Sequence, residues 1–260
     1  MIWLYSISTW LLGTLVVGLV ILLTNVGLLC LRPVVKKHLV VSNDVVFGFM
    51  GATGIIYALI LGLIAVANWE SLNRAEEYAR AEAEQVEKVD RDLAAFPTDQ
   101  AIRVRAVLME YLHNVIDKEW PMQRAGIEIP RNPLVDRISA EWISLELKTD
   151  TERAMESEGL SQLNQLYSYR RSRVQQKDTA LPAALWYVVL LGGALNLLLA
   201  YLVTGLSLRS HIALTTIFAA TVGLMIFMII AVDHPMWGSL SVSPDSYKGV
   251  LKILEARDQK

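Results

Sequence analysis

The chain has 260 residues, 53% of them apolar, and 24 basic against 26 acidic residues give a formal net charge of −2. One cysteine excludes an intramolecular disulfide and any cysteine-rich metal site. Residues 70–182, the stretch between the second and third apolar blocks, are net acidic, so a nucleic-acid partner is not expected.

The apolar content is concentrated in four stretches without Asp, Glu, Lys or Arg: Met1–Leu31, Val45–Trp69, Ala183–Leu208 and Ser210–Val232. Each has the roughly 20 apolar residues that cross about 30 Å of hydrocarbon, so four transmembrane helices are predicted in a lipid bilayer. The first stretch reads as a retained span. No basic residue precedes it, it is long for a signal-peptide core, and no small-x-small cleavage site follows. It ends in "LRPVVKKH", where Pro33 is expected to stop the helix and Arg32, Lys36 and Lys37 mark an interface. Cys30, inside this span, reads as a small packing residue.

The second span runs without punctuation into charge, "ALILGLIAVANWESLNRAEEYARAEAE", and neither Gly nor Pro stands between Gly62 and Pro97. A helix from Val45 to Phe96 is about 75 Å long at 1.5 Å per residue, so it crosses the bilayer and projects beyond it. Beyond Trp69, Leu72, Ala75, Ala79, Glu82, Val86, Val89 and Leu93 recur at helical spacing, a packing stripe interrupted only by Glu82. Helices of the same chain or neighbouring subunits are its possible cover. At 100° per residue, Gly51, Gly54, Ala58, Gly62 and Ala65 share one face of the membrane half, and Phe49, Thr53, Ile56, Ile60 and Leu63 share the opposite one. The small face suits close helix packing. The bulky face meets either lipid or a central water path, where it makes a hydrophobic constriction.

Between spans two and three, the 113 residues 70–182 hold 21 acidic and 16 basic residues, a net −5. Pro97 ends the long helix. A second helix from about Thr98 shows Ile102, Leu108, Tyr111, Leu112, Val115 and Ile116 on one side. "NPLVDRISAEWISLEL" opens a third, with Asn132 as N-cap and Pro133 at the first helical position, and a fourth runs from about Thr151 to Val174. Nothing alternates with a period of two, so the segment reads as a helical water-exposed domain without a sheet. The predicted organisation is residues 1–69 for spans one and two, 70–182 for the helical domain, 183–232 for spans three and four, and 233–260 for a C-terminal tail.

Asp233 and His234 follow the fourth span at the bilayer edge. They suit an interfacial cap before a turn at Pro235 and Gly238, or alternatively a metal site or proton relay. "DKEW", Asp117–Trp120, reads as an inter-helix packing point, His113 as structural and His211 as interfacial. No phosphate loop, nucleophile elbow or zinc spacing appears, so no enzyme, no cofactor and no metal are expected. No Asp or Glu lies inside a span to carry protons, which disfavours a motor-type proton path. Arg74, Arg80, Arg170, Arg171, Arg173 and Lys177 flank the spans on the helical-domain side, against Arg32, Lys36, Lys37 and Arg209 on the other. Six against four favours the cytoplasmic side for the domain and both termini of a multi-pass protein of the cell (inner) membrane.

Four segments, in order, carry a family likeness: "EAEQVEKVDRDLAAFP", "YLHNVIDKEWPMQRAG", "LPAALWYVVLLGG" and "AVDHPMWGSLSVSPDSY". With the glycine-rich second span ending in Trp69, the chain resembles the bacterial bestrophin-like family and, more distantly, bestrophin ion channels. That resemblance implies an all-α membrane fold and a homo-oligomer, a pentamer, whose second spans line a central path for inorganic ions. Aligning Trp69 with the bestrophin tryptophan puts Ala52, Ile56 and Ile60 at the neck, makes the helical domain a cytoplasmic vestibule, and gives the tail "PDSYKGVLKILEAR" the chance to wrap a neighbour. The chain departs from the pattern where Ala52 is small, a single tryptophan stands, and Asn68 replaces an arginine; no acidic cluster like the animal calcium clasp is present. The alternative function is a membrane-anchored helical scaffold that recruits a partner without conducting.

Overall fold

A computed structural model describes residues 5, 7–39, 41–96, 98–176, 179–238 and 240–258, with the side chain of Thr98 excluded. Among the described residues the regular elements are all helices, without a strand. In chain order the helices are α1 (Thr9–His38), α2 (Asn43–Asp92), α3 (Thr98–Asn114), α4 (Trp120–Arg124), α5 (Pro133–Ile143), α6 (Asp150–Gln175), α7 (Ala183–Tyr201), α8 (Leu208–Val232) and α9 (Asp245–Asp258). A 3-10 turn, Leu93–Ala95, follows α2, and a π-helical turn, Val115–Glu119, joins α3 to α4. Four helices are long and apolar enough to cross a membrane: α1, α2, α7 and α8. The chain is an all-α multi-pass membrane protein. Met1, Pro97 and Lys177, invoked above, lie outside the described residues.

One boundary differs from expectation. Pro33 does not end α1, which continues to His38. A proline removes one hydrogen bond, to the carbonyl four residues earlier, but leaves the later N–H groups their partners; the Leu39 N–H still donates to the Val35 carbonyl at 2.9 Å.

The chain divides into two compact units, Trp3–Glu70 with Ala180–His234, and Ser71–Thr179 with Pro235–Lys260. The first is the membrane unit. Its core gathers Tyr57, Leu61 and Ile64 of α2 with Val189 of α7 and Val222, Ile226 and Ile229 of α8. α1 lies along α8, and Gly223 permits the approach: a Cβ there would sit 3.1 Å from Val17 Cα. Several polar groups inside the spans bond to neighbouring helices, where no water competes. Asn25 Nδ2 donates to Thr216 Oγ1 at 2.9 Å, and the Tyr201 hydroxyl donates to the Thr24 carbonyl at 2.8 Å. His211, in the first turn of α8, is buried within the protein, its Nε2 3.0 Å from the Ala200 carbonyl oxygen. Cys30 is exposed on α1 and not part of the chain's buried core.

The second unit explains the stripe beyond Trp69. Ala75, Ala79, Val86, Val89 and Leu93 of α2 are buried in one cluster with Leu108, Tyr111 and Leu112 of α3, Ile138 and Trp142 of α5, and Leu163 and Leu166 of α6. The same chain therefore covers the stripe. Ile102, expected on the buried side of α3, is exposed, and Val104 and Val107 are buried. Asn132 caps α5 by accepting the Leu134 N–H, and Pro133 occupies its first turn. Thr149 and Glu152 form a capping box at the start of α6. The tail helix α9 buries Tyr247, Val250 and Leu254 in this unit's own core.

Gly159 is required by a close approach. A Cβ there would fall 1.8 Å from Cζ2 of Trp142, whose indole is fully buried, donates to the Glu156 carbonyl at 3.1 Å and meets Phe96 edge-on. A ring so fixed has no room to yield. Gly159→Ala is expected to cost about 1–3 kcal/mol, read as a lowered midpoint of denaturant unfolding followed by tryptophan fluorescence.

Candidate functional site

The membrane half of α2 presents three faces. Val46, Tyr57, Leu61 and Ile64 are buried against the chain's own spans, a face lying between the two predicted from the sequence. The docking on α7 is specific. The Tyr57 hydroxyl donates to the Val189 carbonyl at 2.8 Å, and its ring occupies the space left by Gly192 and Gly193, where added Cβ atoms would approach it to 2.7 and 2.9 Å.

The bulky face is split by this docking. Phe49, Ile56 and Leu63 are open, at 60%, 60% and 65% exposure, and Ala52 is exposed beside them. Thr53 and Ile60 are half-buried: Thr53 reaches Asn196 on α7, and Ile60 packs on the inner cluster. The small face is open as well. Gly51, Ala58 and Gly62 are exposed, Gly54 is half-buried, and Cβ atoms added at Gly51 or Gly62 would meet nothing within 4 Å. Gly54, Ala58 and Gly62 instead form one wall of an apolar groove of about 370 Å³, with Phe218, Met225 and Met228 of α8 opposite. Two large residues outside both predicted faces, Ile55 and Leu59, are 72% and 64% exposed. The second span therefore offers its neighbours a broad apolar surface that its own chain leaves uncovered.

Beyond the bilayer the chemistry of α2 changes. Glu82, the break in the stripe, is fully buried and meets Arg173 of α6, whose Nε and Nη2 donate to it at 2.7 and 3.1 Å. The Tyr111 hydroxyl donates to the same carboxylate at 2.5 Å. Arg173 Nη2 also donates to Glu119 at 2.7 Å, and Glu119 accepts from Arg170 at 2.9 Å and Asn132 at 2.8 Å. The Arg173 guanidinium lies over the rings of Trp120 and Tyr247. Two carboxylates and two guanidiniums thus balance inside the second unit. Burial alone would raise the Glu119 pKa, but the charges of Arg173 and Arg170 and their hydrogen bonds outweigh it and hold it below the usual carboxylate value. The "DKEW" segment is an inter-helix junction here: its Glu119 and Trp120 are buried and its Asp117 pairs with His113 at the surface. A third buried carboxylate, Asp90, takes Arg105 and Arg257, each at 2.6 Å, and so pins the end of α9.

Asp233 acts as a cap. Its carboxylate accepts the Leu181 N–H at 2.7 Å and a bond from the Trp186 side chain, with His234 Nε2 3.7 Å away. Burial raises its pKa against these bonds. No group of three or more His, Cys, Asp or Glu able to hold a metal occurs among the described residues.

A multi-pass helical membrane protein with two spans, a helical unit and two further spans is the class these features define. The Bestrophin-like domain family matches residues 18–247, and the chain belongs to that family, which is of ion-channel type. Solved structures share the fold at low identity. One variant of a bacterial bestrophin homologue from Klebsiella pneumoniae is 14% identical, with 95% of this chain and 99% of that chain covered and a TM-score of 0.72. A second variant of that homologue has the same identity and coverage and a TM-score of 0.70. A structure described as a membrane protein is 15% identical, with 95% and 99% covered and a TM-score of 0.69. No curated protein matches the sequence.

Proposed function

We propose that this chain assembles as a homo-oligomer, a pentamer, in which five copies of α2 surround an axis and conduct inorganic ions. The observation that carries the proposal is the uncovered apolar surface of α2. Three companion spans in the same chain leave Phe49, Ile56, Leu59 and Leu63 open on one side, and Gly51, Ala58 and Gly62 on another. A helix that only anchors a chain to lipid has no use for an open small-residue face; a helix packed between copies of itself has. In this reading Phe49, Ala52, Ile56 and Leu63 border the axis as a hydrophobic neck, with Thr53 and Ile60 behind them. Gly51, Gly54, Ala58 and Gly62 receive the neighbouring subunit. The helical unit forms a vestibule, and the excess of basic residues near its span ends supports a cytoplasmic position in an inner membrane.

Imaging of detergent-solubilised particles, combined with recordings from purified protein in planar bilayers, tests this. Fivefold particles that pass single-channel currents are expected. Monomeric particles, or bilayers that stay silent, overturn it and leave the anchored scaffold.

A further inference from the structure

The end of the membrane unit where α7 turns into α8 holds a second groove, of about 360 Å³, between the start of α2 and α8. Its walls are mostly apolar, with Phe47, Leu214 and Phe218 among them, and His211 lines it from the first turn of α8. His211 is 3% exposed, and its Nε2 lies 3.0 Å from the Ala200 carbonyl oxygen. A carbonyl only accepts, so Nε2 carries the proton and Nδ1 of the neutral ring holds a lone pair. Nδ1 makes no hydrogen bond among the described residues. The other polar side chains on the groove are already used within the chain. Asn43 accepts the Thr204 N–H at 2.9 Å and donates to the Thr204 carbonyl at 3.1 Å, and Thr215 Oγ1 donates to the His211 carbonyl at 2.8 Å. A buried acceptor left unmade costs free energy unless something outside the chain supplies the donor.

We infer that this groove binds one anionic phospholipid whose headgroup carries a hydroxyl, of the phosphatidylglycerol kind. One acyl chain lies along Phe47, Leu214 and Phe218, the phosphate sits at the N-terminus of α8, and a headgroup hydroxyl donates to His211 Nδ1. Walls of hydrocarbon suit a chain and not a free anion. The first turn of α8 has N–H groups without acceptors in its own helix, and Ser207 and Ser210 bring two hydroxyls to it. Helical side chains lean toward the N-terminus, which sets the His211 ring toward headgroup level. Charge at this end completes the match: Arg32, Lys36, Lys37 and Arg209 stand against a single acidic residue, Asp44. Arg32 Nη2 donates at 2.8 Å to the carbonyl of Leu206, itself part of the groove, and its Nε is buried without a partner. The inference does not depend on conduction and holds for one subunit or several.

Titration of the detergent-solubilised full chain with phosphatidylglycerol, with the first lipid bound per subunit read by native mass spectrometry, tests this. Phosphatidylglycerol is expected to bind about tenfold more tightly than phosphatidylcholine, whose phosphate is already balanced by its own ammonium. It should also bind about threefold more tightly than phosphatidylmethanol, which has the same charge and no headgroup hydroxyl. His211→Gln keeps an N–H for the Ala200 carbonyl and removes Nδ1, so it should abolish the preference for phosphatidylglycerol over phosphatidylmethanol. Ser210→Glu suits the positive end of the helix yet repels a phosphate there, so it should weaken both anionic lipids about tenfold in a folded protein. Equal binding of phosphatidylglycerol and phosphatidylcholine, or a native preference retained in His211→Gln, overturns the inference. Displacement of phosphatidylglycerol by inorganic phosphate overturns it too, by marking a free-anion site. Leu214→Trp fills the groove and should block the lipid. Oligomers that fall apart in that variant while lipid binding stays unchanged would overturn the lipid and give the groove to a second copy of the chain.

Discussion

Arg173→Met is expected to destabilise the helical unit by about 3–5 kcal/mol. The substitution keeps much of the side chain's length but strips the counter-charge from two carboxylates, Glu82 and Glu119, that are buried beside it. Breaking a buried ion pair from one side typically costs about 3–5 kcal/mol, because the surviving charge is left without water or partner. Such a loss is a large share of the 5–15 kcal/mol that holds a domain folded. Arg170 remains on Glu119, so Glu82 carries most of the penalty, and adding Glu82→Gln to Arg173→Met should restore part of the lost stability. Denaturant unfolding followed by circular dichroism reads both. Equal stability of Arg173→Met and the native chain would show that the cluster is not a source of fold stability. The same cluster sets an acid limit. A carboxylate whose folded pKa is depressed contributes fully above its ordinary value of 4.5 and loses that contribution as the pH falls through the lowered one. Stability should therefore fall below about pH 4.5 in the native chain, and Glu119→Gln should flatten that fall.

Ile56→Ser is expected to raise ion flux through each open channel by about tenfold, the factor that removing roughly 1.4 kcal/mol of apolar barrier gives. Full transfer of an Ile side chain is worth about 1.5–3 kcal/mol, and in the proposed assembly each subunit would place one Ile56 in the ring, so the estimate needs only part of that energy to appear in the barrier. Ile56 is the residue of choice because it is open and unsupported by its own chain, whereas Ile60, one turn on, is half-buried against the inner cluster. Ile60→Ser is thus expected to affect stability more than flux. Currents from Ile56→Ser indistinguishable from those of the native protein would place Ile56 against lipid.

The spans and the helical character of the second unit were legible because hydropathy and helical spacing are local properties of sequence. Where an interaction is local, caps were legible too, as at Asn132. Glu82 showed as an interruption in an apolar stripe, but its partner Arg173 lies 91 residues away and nothing near Glu82 names it. The two faces of α2 were visible on a helical wheel, yet the wheel does not contain α7. Tyr57, whose ring fits two glycines from that helix, fixes the buried face between them and turns Thr53 and Ile60 inward. Pro33 misled because proline marks a lost hydrogen bond and not necessarily a helix end. The packing of Tyr247, Val250 and Leu254 of the tail into the second unit's core was not legible, because their partners on α2 and α3 lie more than 130 residues earlier in the chain.

That last placement bears on how the protein is made. Residues 71–179 leave the ribosome with a gap in their core that only α9 fills, and some 75 residues separate Thr179 from Leu254. At about 5–20 residues per second, translation takes roughly 4–15 seconds to supply them, during which α7 and α8 must also enter the bilayer. A nascent helical unit waits through that interval with apolar surface uncovered, so chaperone dependence should scale with any delay in inserting the last two spans.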